Sequence, residues 1–236
     1  MIGLPRGETA RITAEDGTPI TLWVAPPVGD RAVILTFMGN SGHIRAAANR
    51  VRLLADAGYG IILMNYRGAG QMPGAPSQSA IMQDSTLVYD SLDEILGETI
   101  PQSRRVIYGY SLGAAVAAQL AAQRPAAAVV LAASFNRLCE TAEFHYPIFP
   151  VCMILPDNRW ASADRIGEIE APLLMLHGEV DEVIPVDQGL RLYDQAREPK
   201  DLVLYPNGNH ADLHLHGARE DIRDWLDRTL AAGGAG

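Results

Sequence analysis

Ser111, Asp181 and His210 are the residues whose types and settings could do chemistry together. Ser111 lies in Gly109-Tyr110-Ser111-Leu112-Gly113, a G-x-S-x-G pattern. A serine at the tip of a sharp strand-to-helix turn projects its hydroxyl above a sheet, and glycine two residues before and after avoids collision where the backbone passes close to neighbours. The helix that follows aims free N–H groups and a partial positive charge at the reacting centre. A hydroxyl is a poor nucleophile until a base takes its proton. The base is normally histidine, whose pKa lies near neutrality. The bland alternative for this stretch is a strand–helix turn with a capping serine.

Six histidines are available: His43, His145, His177, His210, His214 and His216. Only His210 sits in a turn between the last predicted strand and the last predicted helix, within Pro206-Asn207-Gly208-Asn209-His210-Ala211-Asp212. His214 and His216 fall at the start of that helix and read as solvated. His177 ends a strand and reads as structural. His145 lies in an irregular insert, and His43 follows a glycine loop. The third member should be a carboxylate that orients the imidazole. His177-Gly178-Glu179-Val180-Asp181-Glu182-Val183-Ile184-Pro185 supplies three, of which Asp181 is preferred and Glu179 and Glu182 read as solvated. No carboxylate directly follows the strand ending at Ala133. The oxyanion calls for preorganised donors: the backbone N–H of Leu112 and that of Asn40. The loop Met38-Gly39-Asn40-Ser41-Gly42 could also be a plain flexible turn; it fits neither a Walker A nor a G-x-G-x-x-G phosphate loop.

The elements that must position these groups are legible. Residues 9–13 and 20–25 read as a hairpin around Asp16-Gly17. Apolar runs at 32–37, 60–65, 106–108, 127–133, 171–177 and 202–205 read as strands, most of them buried on both faces. Helical patterns fill 44–57, 81–96, the stretch after Ser111, 187–196 and 212–230. Alternating β and α elements predict the α/β class: a mostly parallel, twisted sheet of about eight strands with helices on both faces. In such sheets sites lie at the carboxyl ends of the strands. Asn40, Ser111, Asp181 and His210 each follow a different strand, so four loops are expected on one rim.

The chain resembles small serine hydrolases of the α/β-hydrolase fold, of the esterase, lysophospholipase-like or serine aminopeptidase-like kind. The residues that carry the resemblance are Phe37-Met38-Gly39-Asn40-Ser41-Gly42, Asn65-Tyr66-Arg67-Gly68-Ala69-Gly70, Gly109-Tyr110-Ser111-Leu112-Gly113, the segment from His177 to Pro185, and Gly208-Asn209-His210. It implies a cofactor-independent, metal-free hydrolase in which Ser111, His210 and Asp181 cleave a carboxylic ester, with thioester or amide next. One departure stands out: the position before the oxyanion glycine, usually histidine in the family, is Met38. That change motivates one competing reading, a non-catalytic binding protein on the same fold; an acyltransferase using the same triad is a further alternative.

Residues 134–170 interrupt the β-α rhythm where the family carries its cap. The insert holds Phe135, Phe144, Tyr146, Phe149 and Trp160. It reads either as a small lid over an apolar acyl pocket or as a crossover with its own core. With Met38, Ser41 and Tyr110, these five aromatics are the candidate substrate-pocket residues. No arginine or glutamate pair stands out as a clamp for a free amine or carboxylate.

The chain has 236 residues, a net charge of −9 and 48% hydrophobic residues. This suits a single α/β domain with a sizeable core. No basic block invites nucleic acid, and a small acyl substrate is the expected partner. Cys139 and Cys152 lack metal-ligand spacing; a bridge between them is possible but not implied. Two isolated thiols fit a reducing compartment. The first residues lack the basic and apolar regions of a signal peptide, and no apolar run reaches the ~18 residues of a spanning helix. The expectation is a cytoplasmic protein without stable membrane insertion.

Overall fold

The computed structural model describes residues 4–40, 44–70, 72–154 and 160–233. Eight strands form one sheet in the order β1-β2-β4-β3-β5-β6-β7-β8. They are β1 (Glu8–Thr13), β2 (Pro19–Ala25), β3 (Val33–Phe37), β4 (Gly60–Met64), β5 (Arg105–Tyr110), β6 (Ala128–Ala132), β7 (Leu173–Gly178) and β8 (Lys200–Tyr205). The β1–β2 hairpin joins antiparallel to β4, and the other strands pair in parallel. Every residue of β3, β4, β6 and β7 is buried. These are the continuous apolar runs of the sequence. Such strands need cover on both faces.

That cover is α1 (Ile44–Asp56) packed with α8 (Ala218–Gly233), and α2 (Gln78–Asp90) packed with α4 (Leu112–Ala121), together with α7 (Val186–Gln195). Alanine at 114, 115, 117 and 118 lets α4 lie close on β5. The sheet register places Tyr110 beside Ala132, and Gly178 beside Tyr205, so the strand ends carrying Ser111, Asp181 and His210 are neighbours.

Two predicted helices end elsewhere than expected. The span 81–96 starts earlier, at Gln78, where Ser77 Oγ accepts from the Ala80 N–H at 3.1 Å. It then breaks at Ser91 into α2 and α3 (Leu92–Leu96). The last helix begins at Ala218, not 212. A 3₁₀ turn over Leu213–Leu215 and Gly217, at φ +97°, precede it, and a left-handed residue cannot continue an α-helix. His214 and His216 therefore precede the helix.

The cap contains α5 (Leu138–His145) and α6 (Val151–Ile154). Cys139 and Cys152 form a disulfide that staples them, so the expectation of two isolated thiols is wrong. Sequence spacing gave no sign of it, because the pairing depends on α5 and α6 folding against each other.

Candidate active site

Ser111 sits between β5 and α4 at φ 56°, ψ −121°, a conformation that stores backbone strain. Its N–H donates to Ala132 O at 2.9 Å, which pins the turn to β6. A Cβ on Gly113 would lie 2.1 Å from the Phe37 carbonyl oxygen, and one on Gly109 would lie 2.1 Å from the Gly113 oxygen. Only glycine lets the chain pass at these two points.

Asp181 follows β7, and its side chain folds its own loop. Oδ1 accepts from the N–H groups of Val183 and Ile184 at 2.9 and 2.7 Å, an Asx-type turn. Oδ2 lies 2.8 Å from His210 Nδ1, and His210 Nε2 lies 3.0 Å from Ser111 Oγ. The structure thus brings together the three residues separated by 70 and 29 positions in the chain. Asp212 Oδ1 accepts from the Asn209 N–H at 2.6 Å and closes the loop that carries His210.

His177 is structural here. It is buried, its Nε2 donates to Ile184 O at 2.9 Å, and it stands 3.6 Å from Asp181 Oδ2. Burial holds its pKa below the usual 6.5, so the ring is neutral at pH 7. It packs so tightly on α7 that a Cβ on Gly189 would meet its Nδ1 at 2.4 Å. His145 Nε2 lies 2.8 Å from Val183 O and ties the cap to the Asp181 loop.

A cavity of about 490 Å³ opens over Ser111. Asn40 and Leu112, the expected oxyanion residues, line it beside Ser111, with Phe135 and Trp160. The remaining aromatic candidates do not. Phe144, Tyr146 and Phe149 are 57%, 63% and 59% exposed and take no part in the cavity lining. Tyr110 is buried behind the site, with its ring edge-on to His210 at 5.7 Å. Met38 is buried below the loop, outside the lining. Ser41 and His43 lie outside the described residues. A hollow of about 550 Å³ over α2 is slightly larger but touches none of Ser111, Asp181 or His210.

Sequence reasoning missed the aliphatic lining, Ile81 from α2, Leu138 from α5, and Val183 and Ile184 beside Asp181, together with Thr141 from α5. It also missed Tyr66, whose hydroxyl donates to Met38 O at 2.8 Å. This bond holds the loop at the position where the family usually has histidine, and Tyr66 already stood in the Asn65–Gly70 motif. Arg67, next in the chain, lines the cavity but is spoken for. Its guanidinium grips Asp84 through two bonds of 2.8 and 2.5 Å and Asp16 through one of 2.6 Å. The bond from Arg67 is the main reason the Asp16 carboxyl falls to about 2. Among the described residues, no group of three or more His, Cys, Asp or Glu could hold a metal ion, and no helix is long and apolar enough to cross a membrane.

A sheet of this topology with a strained serine elbow defines the α/β-hydrolase class, and the comparisons place the chain within it. Residues 29–153 match the family model described as serine aminopeptidase, S33, and the chain belongs to this family of α/β hydrolases. It is 34% identical to an uncharacterized protein of Mycobacterium tuberculosis, over 98% of this chain and 83% of that one. A second relative, a lysophosphatidylserine lipase of Danio rerio, is 30% identical over 80% of this chain and 58% of that one. Among solved structures, an esterase of Pyrococcus furiosus superposes with a TM-score of 0.75 at 17% identity, covering 96% of this chain and 91% of that one. An α/β hydrolase from Penicillium gives 0.73 at 16%, covering 96% and 98%. Such identities speak for the fold. The protein is a hydrolase of the α/β-hydrolase type.

Proposed function

We propose that the protein is a serine hydrolase that cleaves carboxylic esters, with thioesters or amides as the next choice, through an acyl-enzyme. The observation that carries this reading is His210 standing 3.0 Å from Ser111 Oγ and 2.8 Å from Asp181 Oδ2 at the mouth of a 490 Å³ cavity. In the neutral enzyme His210 Nε2 accepts the Ser111 proton while Nδ1–H donates to Asp181. Ser111 Oγ attacks the carbonyl carbon, and the imidazolium then returns the proton to the leaving oxygen. Asp181 is suited to hold that cation because it is almost fully buried and accepts three hydrogen bonds in all. The carbonyl oxygen, now negative, is met by the backbone N–H groups of Leu112 and Asn40. Water attacks the acyl-enzyme by the same proton route and regenerates Ser111.

The substrate is read from the lining. Ile81, Leu138, Phe135, Trp160, Val183 and Ile184 offer an apolar wall, which fits an acyl chain better than a charged group. The two formal charges nearest to hand, Arg67 and Asp181, are already paired. The relative acting as a lysophosphatidylserine lipase supports esters of apolar acyl chains. No cofactor is called for. We also read residues 1–236 as one domain with residues 134–170 as its cap.

The test is covalent. A fluorophosphonate probe should label the wild type and leave Ser111→Ala unlabelled, and p-nitrophenyl esters of graded chain length should turn over. An unlabelled wild type, or equal labelling of the variant, would sink the mechanism.

A further inference from the structure

A second, smaller crevice lies behind the catalytic base, between β5, α1 and the start of α8. It is lined by Arg50, Tyr108, Tyr110, His214, Ala218 and Arg219 among others, and has about 10 Å³ of free space. That is room for one water-sized or monatomic species.

Two of its polar groups are left over. Arg50 Nε and Arg219 Nε are buried atoms without a hydrogen-bond partner among the described residues, while Tyr110 couples to the Arg50 side chain and His214 to the Ala211 backbone. Two such guanidinium atoms around one crevice are unusual, since buried polar atoms are nearly always satisfied. Neither arginine has a carboxylate within ion-pair distance among the described residues. Arg219 uses its Nη atoms on the carbonyls of Asn49 and His214 at 3.3 and 3.4 Å. Arg50 lies over the Tyr110 ring at 4.0 Å. The carboxylates that act on Tyr110 from a distance, Asp181 and Asp212, are engaged with His210 and with the Asn209 N–H.

The chemistry of this set selects its occupant. A guanidinium N–H can only donate, and a phenol readily does. Two fixed cations and a phenol facing one small space favour an acceptor, and an anion meets those charges with a full charge where a water meets them only with its dipole. The N-terminus of α8, whose first turn also carries Glu220 and Asp221, lies beside the crevice at Ala218. His214 fits the same field: burial first, then the charges of Arg50 and Arg219, hold its pKa below 6.5.

We infer that this crevice is a halide site, taking a chloride between Arg50 and Arg219 with Tyr110 as a donor. The inference is independent of the ester reading.

Crystals of the whole protein equilibrated with sodium bromide should show an anomalous peak between the two guanidinium groups. In solution, Tm should rise by about 2–4 °C as sodium chloride replaces sodium gluconate at constant ionic strength. Arg219→Gln and Arg50→Gln should each lose the peak and the chloride-dependent rise. Both side chains are only half-buried, so either variant can carry the test if the other folds poorly. Absence of the peak in the wild type would overturn the inference. So would a chloride-dependent Tm retained by the variants. A peak without any chloride dependence of Tm would mean an adventitious ion only and would equally overturn it.

Discussion

Asp181 on the rim and Phe149 on the cap are both placed by loops, yet they are held in opposite ways. Asp181 is almost fully buried and accepts three hydrogen bonds from three different residues. Phe149 is 59% exposed, and around it Ile148, Met153 and Ile154 are exposed by 89%, 85% and 61%. The rim is over-determined: a strained serine, two glycines that admit no Cβ, and a buried His177 each fix the same geometry. The outer cap has a disulfide, one bond from the Cys152 N–H to Glu143, and the His145 link to Val183. The difference teaches which part of the molecule is built for a fixed reaction and which part meets what lies outside. A buried polar network tolerates almost no change, whereas an exposed apolar surface is tolerant of change and suited to contact.

The largest effects should fall on the rim. His210→Ala should lower kcat by roughly 10⁵-fold or more on any ester, with KM little moved, while Asp181→Asn should cost about 10⁴-fold. Steady-state kinetics checks both; equal loss of kcat in a cap variant would erase the contrast. Next comes the staple. Cys139→Ser should destabilise the cap by about 3 kcal/mol, the entropy of a loop of this size, the two cysteines being 13 residues apart. The expected outcome is faster proteolysis within 138–160 while turnover of a short acetyl ester survives. If the short ester is lost as well, cap and rim are one unit.

The cavity wall shared by the two regions should show an intermediate effect. Trp160→Ala should lower kcat/KM about 10–100-fold for long acyl chains and spare short ones, because Trp160 lines the cavity while its backbone N–H, which donates to Gln78 Oε1, survives the change and keeps the segment in place. A uniform loss across chain lengths would place Trp160 in the scaffold instead. The pH dependence of stability sharpens the rim further. His177 has a folded pKa below its unfolded value, with burial the first cause. The unfolded chain therefore takes up the proton first, and stability should fall as pH drops below about 6.5. His177→Gln should flatten that slope, measured by Tm between neutral and mildly acidic pH. The smallest effect belongs to the cap tip. Ile148→Ser should change global stability by about 0.5 kcal/mol or less, measured by chemical denaturation.

Much of this was legible in the sequence. The strands announced themselves as apolar runs because parallel strands are buried on both faces. Ser111, Asp181 and His210 each carried a local signal in glycines, turn residues and position after a strand. The helix limits at Ser91 and Ala218 were not legible, since they depend on single backbone conformations that periodicity does not encode. The pocket lining was only partly legible. Aromatic richness between Phe135 and Trp160 left a lid over the pocket and a crossover with its own core both open, because composition has no direction; Phe135 and Trp160 line the cavity, and Phe144, Tyr146 and Phe149 do not. In the structure α5 turns Leu138 and Thr141 to the cavity and leaves Phe144 to solvent.

The sequence by itself determined the α/β layering and the elbow and singled out Ser111, Asp181 and His210, because each of these signals is carried by residues close in the chain. Only the tertiary structure decided the distances of 3.0 and 2.8 Å that join them, the apolar wall of the cavity, the Cys139–Cys152 bridge and the two arginines by Tyr110 whose Nε atoms find no partner among the described residues. Those depend on which side chains meet across elements far apart in sequence, and on where burial removes the water that would otherwise have satisfied them.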